Sequence, residues 1–442
     1  MASRTMSGWS RALQLADRTP ATRNRYVDFL RALSIGAVVS GHWLIAAPWM
    51  RDGQIRLDHM LGMQPWTQWL TWLFQVMPIF FMVGGYSNAA SWTAARRAGT
   101  GYGVWTRARL RRLIGPVAPL VAFWAVAGAI GYRAGVPAEM IRIASQAALV
   151  PVWFLAIYVV IVLLVPWTHG AWTRFGLASV LAPAAAAVAV DVLRFRMGWT
   201  DLAWVNYLFV WAAVHQIGYG WRDGRLGHAG WRLIGMLCGV AALAGLVALA
   251  GYPHSMVGVP GEPVSNTLPP SVAMLALGLA QAGLLLALEQ PARRWLSGRR
   301  PWAATILVNG TIMTVYLWHM TAAILLVGLL RLFDGFGLHV APGSTTWWIT
   351  RPVWVAVLSV ALSPFLLVFA RFERAGDGAP ARHLPGWRAI VGSALFCLGL
   401  ALIALDGVGG GGPLGIRLWV VLLPLVGAVV AGALPAARAR VG

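Results

Sequence analysis

The chain has 442 residues, 59% of them hydrophobic and only 11% charged, and a formal net charge of +21. Soluble globular proteins carry about 25% charged residues, so this composition excludes an ordinary soluble fold and points to a chain dissolved in a bilayer. Every basic side chain apart from histidine is an arginine; in such a chain the arginines read as markers of the cytoplasmic face and its anionic leaflet rather than as a nucleic-acid surface.

Residues 1–25 form a basic cytoplasmic segment in which "SGWSRALQLADR" is expected to make a small interfacial helix. The apolar run that follows lacks a small-residue cleavage site, so the first span is expected to remain as an anchor. Windows of about 20 apolar residues fall near 27–47, 69–91, 112–131, 147–166, 176–193, 202–220, 232–251, 271–289, 303–330, 347–370, 388–405 and 416–435. The predicted fold is therefore an all-α, polytopic integral membrane bundle of about twelve helices. With both termini cytoplasmic, "ARRAGTGYGVWTRARLRR", "WRDGRLGHAGWR", "PARRWLSGRR" and "RFERAGDGAPARHLPGWR" all face inside, as the positive-inside rule requires. Arg51, Arg56, Arg133 and Arg142 run against this bias, partly offset by Asp52, Asp58 and Glu139. The longest outer connections are 48–66 and 252–270; the second, rich in Pro and Gly, is expected to be a loop without regular structure that covers the outer mouth, and "GVGGGGPLG" (407–415) a short turn. Tryptophans at predicted helix ends fit an interfacial belt. Cys238 and Cys397 fall in different apolar windows, where ordinary packing explains them. Abundant Ala, Gly, Val and Pro with arginine in place of lysine suggest a bacterial source and a place in the cytoplasmic membrane.

The first window contains "DFLRALSIGAVVSGHW" (28–43), which carries Asp28, Arg31 and His42. Titratable groups are costly in hydrocarbon and need a reason. On a helix of about 100° per residue, Arg31 and His42 come within about 20° of one face and stand about 16 Å apart along the axis. Asp28 lies three residues before Arg31, where a carboxylate can pair with the guanidinium. An anion-binding group at the inner surface and a proton-handling group deeper in the membrane suit a ligand charged at one end and reactive at the other. Acyl-coenzyme A has that shape, and a neutral imidazole can take the proton of an acceptor hydroxyl near pH 7.

Asp-x-x-Arg-x10-His at the start of the first helix resembles the signature of acyltransferase family 3, polytopic bacterial enzymes that move acetyl or other acyl groups onto sugars and related hydroxyls. "PIFFMVGGYSNA" (78–89), "RARLRRLIGP" (107–116), "VWFLAIYVVIVLLVP" (152–166) and "VYLWHM" (315–320) resemble further family segments in the same order. The resemblance runs over about residues 22–374, ten helices. The family's late Glu-x-Pro is not matched: "RFERAG" supplies Glu373 without the proline, and Glu373 is assigned no role. The domain expectation is a segment 1–25, an acyltransferase-like membrane domain 26–374, a cytoplasmic linker 375–387 and two additional helices with a short tail over 388–442.

The resemblance implies His42 as the catalytic base, with Arg31 and Asp28 beside it. Arg31, Arg107, Arg109 and Arg112 become candidates for the phosphates of coenzyme A, because Arg offers bidentate contacts; for the last three, topology alone explains the cluster equally well. His319, Tyr316, His215, Asn206 and Trp153 are candidate substrate contacts, each with helix packing or a buried hydrogen bond as the competing account. Gly84 and Gly85 either allow close helix contact or give an acyl chain room. The expected activity is transfer of an acetyl or short acyl group from acyl-CoA to a hydroxyl of a sugar, glycolipid, cell-envelope glycan or glycosylated metabolite. No permanently bound cofactor, metal or nucleic acid is expected; the partners are donor, acceptor and membrane lipid. The rival reading is a multi-pass transporter or flippase, although the paired, broken helices of such proteins are not apparent.

Overall fold

The computed structural model describes residues 8–374 and 384–434. Most of the expected linker 375–387, the first seven residues and the C-terminal tail from 435 lie outside the described residues. Among the described residues nine helices are long and apolar enough to cross a membrane. The chain is thus an all-α, multi-pass membrane protein.

The first described elements are α1 (Gly8–Asp17), a short helix where one was expected, and α2 (Arg25–Ile45). At 21 residues α2 is about 30 Å long, enough to span, but Arg25, Asp28 and Arg31 lower its hydropathy below that of the nine. The connection after α2 contains a hairpin, β1 (Ala46–Arg51) and β2 (Gln54–His59). Its turn residues Asp52 and Gly53 have φ of 51° and 73°, the Asp-Gly geometry whose twist matches paired strands. Short helices α3 (Met60–Met63) and α4 (Thr71–Phe74) lead into α5 (Met77–Arg97).

Then come α6 (Tyr102–Ile114), α7 (Val117–Arg133), α8 (Ala138–Leu149), α9 (Val152–Phe175) and α10 (Ala178–Met197). They are followed by α11 (Asn206–Arg222), α12 (Ala229–Leu249), α13 (Val272–Leu296), α14 (Arg299–Asn309) and α15 (Ile312–Arg331). The last are α16 (Thr345–Arg374), α17 (Gly386–Asp406) and α18 (Leu418–Val430). Each of the twelve predicted windows holds helix, with α11 and α18 too short to count among the nine. The window 303–330 is two helices, not one. The break at Gly310–Thr311 is stabilised by Glu373, whose carboxylate accepts the Met313 and Thr314 N–H groups and the Thr314 hydroxyl. A carboxylate there satisfies the open donors of the α15 N-terminus.

The described residues form two compact units of interleaved sequence. The first takes 8–45, 59–91 and 167–312. In it α1 lies on α14, Ala12 and Ala16 packing on Trp302 and Ala303, with a bidentate Arg299–Asp17 pair at 2.8 and 2.9 Å. Helix α2 packs on α13 and α14, and α12 pairs with α13. The irregular connection 252–270 is ordered from within: Asn266 donates to the carbonyls of Pro253 and Ser255, and Met256 exchanges bonds with Thr71 and Gln75.

The second unit takes 46–58, 92–166, 313–374 and 384–434. Helices α17 and α18 pack face to face, α17 also touching α6 and α8 and α18 touching α7. The turn between them is fixed by Arg142, which bonds both Glu139 and Asp406, and by the Ser145 hydroxyl, which accepts the Val408 N–H.

Candidate functional site

The N-terminal end of α2 is a polar layer inside an apolar unit. Asp28 is its hub, with its side chain only 10% exposed. Its two carboxylate oxygens take Arg23 Nε at 2.7 Å and Arg31 Nη1 at 3.1 Å, while its backbone carbonyl accepts Asn309 Nδ2 at 2.9 Å. Two guanidinium groups on one carboxylate leave a net positive charge there. Arg31 reaches on to α5, donating from Nη2 to Ser87 Oγ at 3.1 Å, and its side chain stays 32% exposed. It is oriented from two sides and still reachable, which is what binding an anion requires.

The next residue of α5, Asn88, is buried and its amide meets His215 Nε2 of α11 at 3.1 Å. This pairing depends on Gly85. A Cβ at Gly85 would stand 1.8 Å from the His215 carbonyl oxygen, and one at Gly218 would stand 2.1 Å from the Met82 carbonyl. The two backbones touch, so of the two roles weighed for Gly85 the structure shows helix contact. Tyr86, between these polar residues and the glycine, accepts a bond from Asn24 and tilts its ring on Trp221.

His42 lies farther along α2, with buried Ile35 and Val39 between it and that polar layer. The residue is half-buried. His59, at the entry to α3, is within electrostatic reach of it, and α3 packs on α2. Burial pushes the His59 imidazole below its ordinary value, and its Nδ1 is buried without a hydrogen-bond partner.

The other candidates distribute as follows. His215 joins the first unit's polar layer through Asn88. Asn206 and Gln216, on the same helix, do not join it: Asn206 donates to Asp191 Oδ1 at 2.9 Å and Gln216 to the Ser179 carbonyl. Asp191 also accepts the Tyr252 hydroxyl and the Val272 N–H, so Asn206 helps anchor the 252–270 segment. Trp153, Tyr316, His319, Arg107, Arg109 and Arg112 belong to the second unit. Trp153 is half-buried on α9. The Tyr316 hydroxyl donates to the Pro151 carbonyl, and His319 Nδ1 meets the Tyr316 carbonyl at 2.7 Å. Helix α6 begins at Tyr102 and keeps Arg109 and Arg112 one turn apart. Arg107 donates to the Gly432 carbonyl, Arg109 lies over Trp105, and Arg112 is exposed.

Residues 24–371 match a family model described as an acyltransferase domain, Acyl_transf_3. The chain belongs to the acyltransferase 3 family. The matched segment runs from the residue before α2 into α16 and includes every candidate residue above; α17 and α18 lie beyond it. No curated protein and no solved structure matches the chain. Arg23, Ser87, Asn88, Asn309 and His59 were not singled out as site residues from sequence. Ser87 and Asn88 had a signal, two polar residues one position past Gly84-Gly85 in an apolar run. Arg23, two residues before α2, was read only as part of the basic segment, and Asn309 and His59 had no signal, because only the fold brings their segments to α2.

Proposed function

We propose that this membrane acyltransferase moves an acetyl or short acyl group from acyl-CoA to a hydroxyl of a sugar, glycolipid, envelope glycan or glycosylated metabolite. The supporting observation is the single face of α2, which carries a held but reachable guanidinium near its start and a half-buried histidine about 16 Å farther on. Arg31 takes an anionic part of the donor, and Asp28 and Ser87 fix its plane. His42 removes the proton of the acceptor hydroxyl, and that oxygen attacks the thioester carbonyl. The carbon–sulfur bond then breaks, and the proton held by His42 passes to the departing thiolate. Arg107, Arg109 and Arg112 on α6 are kept as candidates for donor phosphates, Arg107 also donating to the Gly432 carbonyl.

The test uses the purified protein in lipid nanodiscs, with acetyl-CoA and a panel of glycan and glycolipid acceptors. Free thiol release that requires both acceptor and His42, with an acceptor heavier by one acyl group, is the expected result. Movement of substrate across the membrane with no thiol release would overturn this reading in favour of transport.

A further inference from the structure

Arg351 lies six residues into α16, about 9 Å from its start, and is 9% exposed. In the orientation proposed from the arginine distribution, this is the outer end of the helix. Trp347 and Leu358, on the same helical face, are 1% exposed, whereas Ile349 and Val353 on the opposite face are 72% and 64% exposed. The guanidinium is therefore on the packed side of α16, not the lipid side.

Its carbon lies 4.1 Å from the Trp347 ring centre and 5.5 Å from that of Trp354. Its hydrogen bond runs from Nε to the carbonyl of Trp347 in its own helix. Among the described residues no carboxylate pairs with it. Aromatic faces recover only part of the hydration a buried guanidinium loses, and an ionised group inside a membrane protein calls for a named partner. The two Nη groups form a planar fork that matches a phosphate, and the depth coincides with the Trp347–Trp348 interfacial pair, close to the headgroup layer.

We propose that Arg351 receives a phosphate oxyanion at the outer end of the second unit, from a phospholipid headgroup or from a soluble phosphate. This is independent of the acyl-transfer reading. The test follows binding and melting temperature for the delipidated protein in neutral detergent, as wild type, Arg351→Gln and Arg331→Gln. Arg331 is an exposed control. Phosphatidylglycerol is expected to bind wild type and Arg331→Gln at least tenfold more tightly than Arg351→Gln, and to raise the melting temperature of those two alone. If inorganic phosphate gives that Arg351-dependent shift and phosphatidylglycerol does not, the ligand is a soluble phosphate. Binding of both probes to Arg351→Gln within twofold of wild type overturns the proposal. Should Arg351→Gln fail to fold, native mass spectra of the wild type decide. Tenfold preferential retention of one phosphatidylglycerol over phosphatidylcholine supports the proposal, and equal retention overturns it.

Discussion

Helices α2 and α15 each carry a histidine in an otherwise apolar run, and the two dispose of it differently. In α15, of the second unit, His319 is fully buried and bonded to the Tyr316 carbonyl one turn back, and Tyr316 is closed off against the Pro151 carbonyl. A carbonyl only accepts, so His319 Nδ1 carries its proton there. In α2, of the first unit, His42 is half-buried and Arg31 is paired yet a third exposed. Polar groups sealed among partners hold a membrane bundle together. Polar groups oriented by partners but left reachable can meet a ligand.

The largest effect expected from this contrast is catalytic. His42→Ala lowers kcat about 10²–10⁴-fold, the usual worth of a positioned base, with little change in melting temperature. His319→Gln does the reverse, destabilising by about 1 kcal/mol for a lost buried hydrogen bond while kcat stays within about twofold. Paired activity and melting measurements on the two variants check this, and a kcat loss in His319→Gln matching that of His42→Ala would erase the distinction.

Next comes the frame of the first unit. Gly85→Ala forces α5 away from α11, because the new methyl meets backbone rather than a movable side chain. A loss of about 3 kcal/mol, seen as an early thermal transition, is expected from overpacking of this kind. A wild-type melting curve would mean that the α5–α11 contact does not set the Asn88–His215 pair.

Arg31→Lys sharpens the first-unit half of the comparison. It retains charge and loses the fork that joins Asp28 to Ser87, so the donor KM should rise about tenfold with a smaller change in kcat. Steady-state kinetics with varied acyl-CoA read this directly. An unchanged KM would remove Arg31 from donor binding.

The smallest effect belongs to the second unit's ion cluster, outside the spans. Hydrogen bonds from Arg142 hold the Glu139 carboxyl below its ordinary value. A lowered carboxyl pKa contributes stability above the unfolded-state value and loses it as the pH falls through the folded one. Arg142→Ala should therefore give a small melting decrease at pH 7 that disappears in acid, as befits an exposed pair. A decrease of equal size at both pH values would assign it to packing.

Much of the architecture was legible because hydrocarbon imposes long apolar windows, and every window holds helix. The hairpin at 46–59 was not, although Asp52-Gly53 carried its turn signal, because the connection was read only as the stretch between two apolar runs. The break at 310–311 was hidden because Glu373, which caps the second piece, lies some sixty residues downstream. At the site, Asp28 and Arg31 could be paired from spacing along one helix. The bond from Arg31 to Ser87 and that from Asn88 to His215 could not, since each joins helices whose order in the chain says nothing of their crossing. Asn206, His215 and Gln216, all on α11, show the same limit: neighbours along one helix face different partners.

The most direct measurement is histidine modification by diethylpyrocarbonate, mapped by mass spectrometry and followed against acyl-transfer rate. The account predicts that activity falls in step with modification of His42, that acyl-CoA slows both, and that His215 and His319 stay unmodified in the folded protein. Full activity with His42 completely modified would contradict it.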